Sequence, residues 1–137
     1  MDCVFCAIVA DEAEATLLDE TDETLAFAPL DPVSEGHLLV VPKAHHENLF
    51  DIPAASLRAV TDHAKDIATR LEAAAFDGVN LLHDTGVQQS VPHFHLHVAP
   101  RRADDGLDLW PDSGYESRGK EEDYAAVREA LGATETE

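Results

Sequence analysis

Three histidines alternate with apolar residues at positions 93–98, in the sequence HFHLHV. Side chains of a β-strand point alternately to its two faces, so a strand here would place His93, His95 and His97 together and the residues between them in a core. The rise of about 3.3 Å per residue separates His93 from His97 by roughly 13 Å. All three rings can hardly bind one metal ion through bonds of about 2 Å. The row instead suits nucleophilic attack by one ring, with neighbours that position or protonate the reacting group; a chance polar face is the alternative.

The two cysteines of the chain, Cys3 and Cys6, form a single Cys-x-x-Cys motif. Such a motif is half of a tetrahedral zinc site and needs two further ligands. His45 and His93 are the candidates, and His46 could replace its neighbour. We therefore predict a structural zinc site, with two free thiols or a redox disulfide as the alternatives.

The elements that position these residues are predicted from apolar periodicity and turn signals. A helix is expected over residues 52–76, capped by Asp51, because its apolar residues recur at spacings of three and four. His63 in this helix is expected to face solvent. A short helix is predicted at residues 121–131. The predicted strands are residues 16–19, 24–28, 36–41, 79–83 and 93–99.

Strands on both sides of one long helix indicate an α+β fold with an antiparallel sheet of about five strands. The length of 137 residues suits one domain. We predict a catalytic domain over residues 1–102 and an acidic C-terminal extension over residues 103–137, packed on that domain and disordered at its end.

The charge is strongly acidic, with 28 Asp and Glu against 9 Lys and Arg, a net charge of −19. Nucleic acids and anionic membranes would be repelled, so neither is an expected partner. A dispersed acidic surface with little lysine favours a halophilic protein, whose self-repulsion is screened by salt; an ordinary acidic protein is the alternative. The sequence contains no apolar run near the roughly 20 residues of a spanning helix, and its start lacks signal-peptide features, so a cytoplasmic location is expected.

The histidine pattern resembles the H-x-H-x-H motif of the histidine-triad (HIT) superfamily of nucleotide hydrolases and transferases. The resemblance extends over about residues 3–101. Its further segments are CVFC at residues 3–6, AF at 26–27, GHLLVVPKAH at 36–45, GVN at 78–80 and QSVPH at 89–93.

The resemblance implies an enzyme that forms homodimers and cleaves purine nucleotides at the α-phosphate. His95 would attack and form a nucleotidyl-histidine, and water would then release a nucleoside monophosphate. His97 would contact the phosphate or the leaving group. Asn80, Gln89 and Ser90 would bind substrate. In zinc-bearing relatives, residues matching Cys3, Cys6, His45 and His93 complete the metal site.

Two departures from the family pattern concern substrate recognition. Pro29 stands where many members have an acidic residue that contacts the ribose hydroxyls, and the nearest acid is Asp31. Asp84 stands where the loop before the triad usually has asparagine, and its carboxylate would repel a phosphate unless turned away. Attack by His95 does not depend on either position.

Two functional hypotheses remain at this point. The first is a HIT-type nucleotidyl hydrolase acting on a nucleoside phosphoramidate or a dinucleoside polyphosphate. The second is a zinc-stabilised nucleotide-binding or sensor module with little turnover. Trp110, the single tryptophan, either covers the core or reaches the active site of a partner subunit.

Overall fold

A five-stranded antiparallel sheet in the order β1-β2-β3-β5-β4 organises the protein. The structure is a computed structural model, and it describes residues 3–110 and 114–132. Its elements are α1 (Val4–Val9), β1 (Leu17–Glu20), β2 (Thr24–Phe27), β3 (Leu38–Pro42), α2 (Ala54–Ala73), β4 (Gly78–Leu82), β5 (Leu96–Arg101) and α3 (Lys120–Leu131). The α+β class with an antiparallel sheet and one long helix is confirmed.

Strand β5 carries the end of the histidine segment and lies between β3 and β4. It pairs with β3, where Leu39 lies opposite His97, and with β4, where Leu82 lies opposite His97. The pairing of β5 with its neighbours begins at Leu96, so His93 and His95 lie in the segment that precedes the strand. The sequence predicted a strand from residue 93, so its start was placed too early.

The two faces of the sheet have separate apolar clusters. On one face α2 packs Val60, Ala64 and Ile67 against the sheet, and Phe94, Leu96 and Val98 lie buried in the same cluster. On the other face, Phe5 and Ile8 of α1 pack against Phe27, Leu39 and Val41. The alternation predicted for residues 93–98 is therefore confirmed: their apolar members enter one core and their histidines face the other side.

Helix α1 was not predicted from the sequence. Its six residues are too few to show a helical period, and its start is fixed by Cys3, whose sulfur accepts a hydrogen bond from the N–H of Cys6 at 3.2 Å. Helix α2 is shorter than predicted. Its N-cap is Pro53, and the Asp51 carboxylate instead accepts from the N–H groups of Glu47 and Asn48 in the preceding turn.

The prediction that His63 faces solvent is wrong. The residue is 4% exposed, and its Nδ1 lies 2.7 Å from the Thr24 hydroxyl. Its Nε2 donates to the Asp19 carboxylate at 2.8 Å. Position 63 lies on the buried face of α2, three residues after Val60 and four before Ile67, and β1 and β2 supply polar partners for both ring nitrogens.

The chain divides into one unit ending at Leu107 and a second starting at Asp108. The boundary lies five residues beyond the predicted one. The second unit contains α3, which ends at Gly132 in the left-handed conformation, and Trp110, which is 81% exposed. Packing of the extension on the catalytic domain stays a prediction, and residues 133–137, predicted to be disordered, lie outside the described residues. Among the described helices, none is long and apolar enough to cross a membrane.

Candidate active site and metal centre

The ring of His95 is held in one tautomer. Its Nδ1 lies 2.8 Å from the carbonyl oxygen of His93. Because a carbonyl only accepts, Nδ1 must carry the proton, and the lone pair is on Nε2. The side chain is 2% exposed and lies at the wall of a large cavity. This arrangement leaves the Nε2 lone pair without an intramolecular proton, and attack by the middle histidine stays a prediction.

His37 lies next to His97, which the sequence did not reveal. Nδ1 of His37 accepts the N–H of Val33 at 3.0 Å, so its proton is on Nε2. That Nε2 donates to Nδ1 of His97 at 2.9 Å, which places the proton of His97 on Nε2. His97 is thereby prepared to donate a hydrogen bond. The only sequence signal was that residues 37, 39 and 41 share a face, and it becomes informative only once β3 is known to pair with β5.

The histidines of the site are neutral near pH 7. Burial lowers the pKa of His37, His93 and His95 below that of a free imidazole. For His97, burial together with the neighbouring rings of His95 and His37 lowers the pKa to about 4. Asp84 partly opposes this effect, because its carboxylate raises the pKa of both His95 and His97. A neutral imidazole is the form required for nucleophilic attack.

Four thiol and imidazole groups meet beside this row: Cys3, Cys6, His45 and His93. Their donor atoms all lie within 4.8 Å of one another. Nδ1 of His93 lies 3.3 Å from the sulfur of Cys3 and 3.4 Å from that of Cys6. Nδ1 of His45 lies 3.2 Å from the sulfur of Cys6.

This donor set fits a tetrahedral metal ion. With ordinary Zn–S and Zn–N bond lengths, the sulfur-to-nitrogen edge of a tetrahedral zinc site is about 3.5 Å, close to the observed separations. Nε2 of His93 donates to the carbonyl of Pro42 at 2.8 Å, so Nδ1 offers its lone pair to the centre of the cluster. His45, and not the neighbouring His46, belongs to the cluster.

Helix α1 connects the cluster of thiol and imidazole donors with His95. Its N-cap Cys3 and its residue Cys6 supply the two sulfurs. Between them Phe5 packs edge-on against His95, with ring centroids 5.1 Å apart, and against Phe27 at 5.3 Å. The N-terminal segment therefore holds one side of the His95 ring.

The three residues predicted to bind substrate have different environments. Ser90 lies at the wall of the cavity. The amide nitrogen of Gln89 donates to the carbonyls of Glu47 and Val91, at 2.6 and 3.0 Å, so its side chain braces the loop. Asn80 pairs with Ala99 across the sheet and accepts a hydrogen bond from Arg101 at 2.7 Å. Their contacts with substrate stay predictions.

The cavity has a volume of about 1220 Å³, with His37, His95 and His97 on its wall. Apolar residues of α1 and β2 line much of it, including Ile8 and Phe27. Its acidic lining residues are Asp11, Glu12, Glu14 and Asp31. Pro29, at the position where an acid was expected, also lies at the wall. A space of this size accommodates a nucleotide-sized ligand.

Comparison with known proteins places this site in a family. Residues 10–104 match the HIT domain. An uncharacterised HIT-like protein of Methanocaldococcus jannaschii is 36% identical over 106 residues, which cover 76% of this chain and 82% of the relative. Adenosine 5'-monophosphoramidase HNT1 of Saccharomyces cerevisiae is 36% identical over 124 residues, which cover 86% of this chain and 77% of the relative.

A solved structure supports the same assignment. The crystal structure of a Zn-bound histidine triad family protein from Mycobacterium smegmatis matches with a TM-score of 0.76 and 34% identity, covering 99% of this chain and 97% of the other. The HIT domain match spans both the strand pairing and the row of histidines described above. The chain belongs to the HIT domain family.

Proposed function

We propose that this protein is a nucleotide hydrolase or transferase that cleaves a bond at the α-phosphate through a nucleotidyl-histidine on His95. The observation that carries the proposal is the fixed tautomer of His95, whose Nδ1–H donates a hydrogen bond to the carbonyl of His93. The lone pair is therefore on Nε2, and the ring lies at the wall of a nucleotide-sized cavity. The yeast relative is named for such an activity on adenosine 5'-monophosphoramidate.

The chemistry follows from the proton positions. Nε2 of His95 forms a bond to the α-phosphorus as the bond to the leaving group breaks. The departing atom keeps the electron pair and takes its proton from water, while Nε2–H of His97 donates a hydrogen bond to it. The modified His95 ring is then cationic, and the carbonyl of His93 stabilises that charge. Water next adds to phosphorus and loses a proton to solvent, which releases the nucleoside monophosphate and neutral His95.

The charge of the cavity favours one class of leaving group. Its described lining includes four carboxylates, and none of those lining residues is lysine or arginine. A polyphosphate leaving group would carry several negative charges into this field, whereas the amine of a phosphoramidate is neutral or cationic. We therefore propose a purine nucleoside phosphoramidate as the substrate in preference to a dinucleoside polyphosphate.

Zinc is part of the proposal as a structural ion held by Cys3, Cys6, His45 and His93. Support comes from the donor separations and from the Zn-bound relative. Zinc would join the N-terminal helix to the residue two positions before the nucleophile. The homodimer is likewise proposed, and the half-exposed Leu81 and Leu82 on β4, at one edge of the sheet, are apolar surface that a second copy could cover.

The test combines turnover with trapping of the intermediate. An adenosine phosphoramidate and a diadenosine polyphosphate are offered to the wild-type protein and to His95→Gly, in high salt. We expect wild-type turnover with preference for the phosphoramidate. We also expect a nucleotidyl adduct on the 91–101 peptide after quenching, and loss of several orders of magnitude in His95→Gly.

The alternative function, a nucleotide-binding module, gives a different result. Such a protein would bind adenosine monophosphate yet form no product and no adduct with either substrate. An adduct on a residue other than His95, or near wild-type turnover by His95→Gly, would also contradict the proposal. Equal zinc content in the wild-type protein and in His95→Gly is the control for folding.

A further inference from the structure

His83 is a second histidine whose ring lies against the nucleophile's backbone. It follows the last residue of β4, and its Nδ1 lies 2.9 Å from the carbonyl oxygen of His95. Because that oxygen can only accept, Nδ1 of His83 carries the proton. Strand pairing between β4 and β5 ends at Leu82 and His97. The His83 side chain therefore adds one more hydrogen bond beyond the last strand pair, to the carbonyl of His95 in the segment before β5.

The other ring nitrogen is also occupied. When Nδ1 carries the one ring proton, Nε2 accepts, and the hydroxyl of Thr85 donates to it. The same hydroxyl oxygen accepts the N–H of Leu49 at 3.0 Å. Every proton in this chain of hydrogen bonds then has one possible position, from Leu49 through Thr85 and His83 to the carbonyl of His95.

Packing fixes the plane of the His83 ring. It stacks on Phe94 with centroids 4.2 Å apart and an interplanar angle of 28°. Phe94 is 1% exposed and belongs to the core under α2. The ring thus has a rigid support on one side and defined hydrogen bonds at both nitrogens, which together leave little freedom for the carbonyl that it holds.

These contacts hold the main chain of His95, whereas a separate hydrogen bond holds its ring. The His95 ring is oriented by the carbonyl of His93, and the main chain of His95 is held by His83. The ring and the main chain of His95 therefore each have a hydrogen-bond partner. Through Thr85, the same network joins the nucleophile to the loop that carries Ser90.

We propose that His83, together with Thr85, is a positioning residue that aligns the nucleophilic nitrogen of His95. The proposal rests on the proposed function, because it takes His95 as the attacking group. Misplacement of a reacting group by about 1 Å can cost about 100-fold in rate, so the effect should be on the chemical step and not on substrate affinity.

Three variants test this role. His83→Phe keeps the stacked ring and removes both hydrogen bonds, and we expect kcat to fall roughly 10- to 100-fold with little change in KM or zinc content. His83→Asn keeps a donor near the position of Nδ1 and should recover most of kcat. Thr85→Val should give an intermediate loss of kcat. Thr69→Val is the matched control, in which we expect no loss of kcat, because the Thr69 hydroxyl donates to the carbonyl of Lys65 in its own helix.

Wild-type kcat in His83→Phe would overturn the proposal, as would His83→Asn no better than His83→Phe. A fall in kcat that follows loss of folded protein or zinc in all three variants would overturn it too. A second measurement needs no turnover: nitrogen-15 NMR of the imidazoles should show His83 protonated on Nδ1, and altered His95 ring signals in His83→Phe. Unchanged His95 signals, or a His83 protonated on Nε2, contradict positioning, whereas wild-type protein inactive on every substrate contradicts only the proposed function.

Discussion

Neighbouring histidines in this site carry their protons on opposite nitrogens. His93 donates from Nε2 to the carbonyl of Pro42, and His95 donates from Nδ1 to the carbonyl of His93. The first therefore turns Nδ1 toward the thiols, and the second turns Nε2 toward the cavity. Two residues of the same type, two positions apart, acquire different roles because fixed backbone acceptors decide which nitrogen is free.

His97 should matter less for turnover than His95. It offers a hydrogen bond from Nε2 and forms no bond to phosphorus in the proposed mechanism. Loss of one donor to developing charge costs about 100- to 1000-fold in rate, so His97→Ala should retain measurable turnover above His95→Gly. Single-turnover kinetics with trapping of the adduct checks this. Absence of any adduct in His97→Ala would mean that His97 takes part in the attack itself.

At the scale of elements, α1 is joined to the rest of the site by the cluster of donors. Cys6→Ser or His45→Ala should lower both the zinc content, from about one ion per chain, and the melting temperature, because metal binding is linked to folding. Elemental analysis and thermal unfolding measure the two together.

His46→Ala is the matched control for the metal site. His46 is adjacent in sequence, but the donor cluster contains His45. The variant should keep its zinc. If the wild-type protein is purified without zinc and with two freely titrating thiols, the structural zinc site does not exist.

The first hairpin is joined to α2 by a buried polar network. Nδ1 of His63 accepts a hydrogen bond from the Thr24 hydroxyl, and its Nε2 donates one to the Asp19 carboxylate. That carboxylate also accepts from Arg70 at 2.8 Å.

Replacement of His63 by leucine would remove the acceptor of the Thr24 hydroxyl and leave that hydroxyl with the Thr21 hydroxyl, 2.5 Å away, as its partner. Loss of a hydrogen bond costs about 0.5–1.5 kcal/mol, so His63→Leu should unfold at lower denaturant concentration. Arg58→Leu, in the first half of the same helix, is a comparison in which no buried hydroxyl loses a partner.

The same network predicts an acid dependence of stability. Hydrogen bonding from His63, followed by Arg70, lowers the pKa of Asp19 below that of a free carboxyl. The unfolded chain therefore binds this proton at a higher pH than the folded chain. The Asp19 carboxylate therefore makes its full contribution to the free energy of unfolding above the unfolded pKa of about 3.9. This contribution is lost as the pH falls through the lower pKa of the folded state.

Asp19→Asn should accordingly show a smaller decline in stability between about pH 5 and pH 2 than the wild type, with lower stability at pH 7. Denaturant titrations at each pH measure this. Asp66→Asn is the control, since Asp66 also accepts from Arg70 but lies on the exposed part of α2. Parallel pH curves for wild type and Asp19→Asn would contradict the role of the carboxylate.

At the scale of the whole molecule, the net charge of −19 should make folding and assembly depend on salt. The Debye length falls from about 30 Å at 0.01 M to about 3 Å at 1 M, so self-repulsion is strong in the first case and weak in the second. We expect dialysis to low salt to unfold the protein or dissociate the proposed dimer. Melting temperatures and light scattering across a chloride series test this, and a flat profile from 0.05 to 3 M chloride removes the halophilic interpretation.

Local sequence was sufficient for the features that depend on the order of neighbouring residues. The alternation at residues 93–98, the Cys-x-x-Cys spacing and the apolar stripe of α2 each repeat with the period of their element. From these, the sheet of five strands and the long helix were predicted, whereas His95 as the nucleophile and the complete set of metal ligands were implied by the resemblance to the HIT superfamily and stay predictions. The short helix α1 was not predicted, because its six residues make less than two helical turns and show no helical period.

Tertiary structure decided which distant side chains meet. His37 reaches His97 only because β3 pairs with β5 in one register, and His45 lies among the donors while His46 does not. The environments of His63 and His83 likewise depend on partners 39 and 12 residues away along the chain. A histidine carries no periodicity of its own that distinguishes a buried, bonded ring from a solvated one. Its protonated nitrogen is set by whichever acceptor the fold brings to it, and that information exists only when the strands have paired.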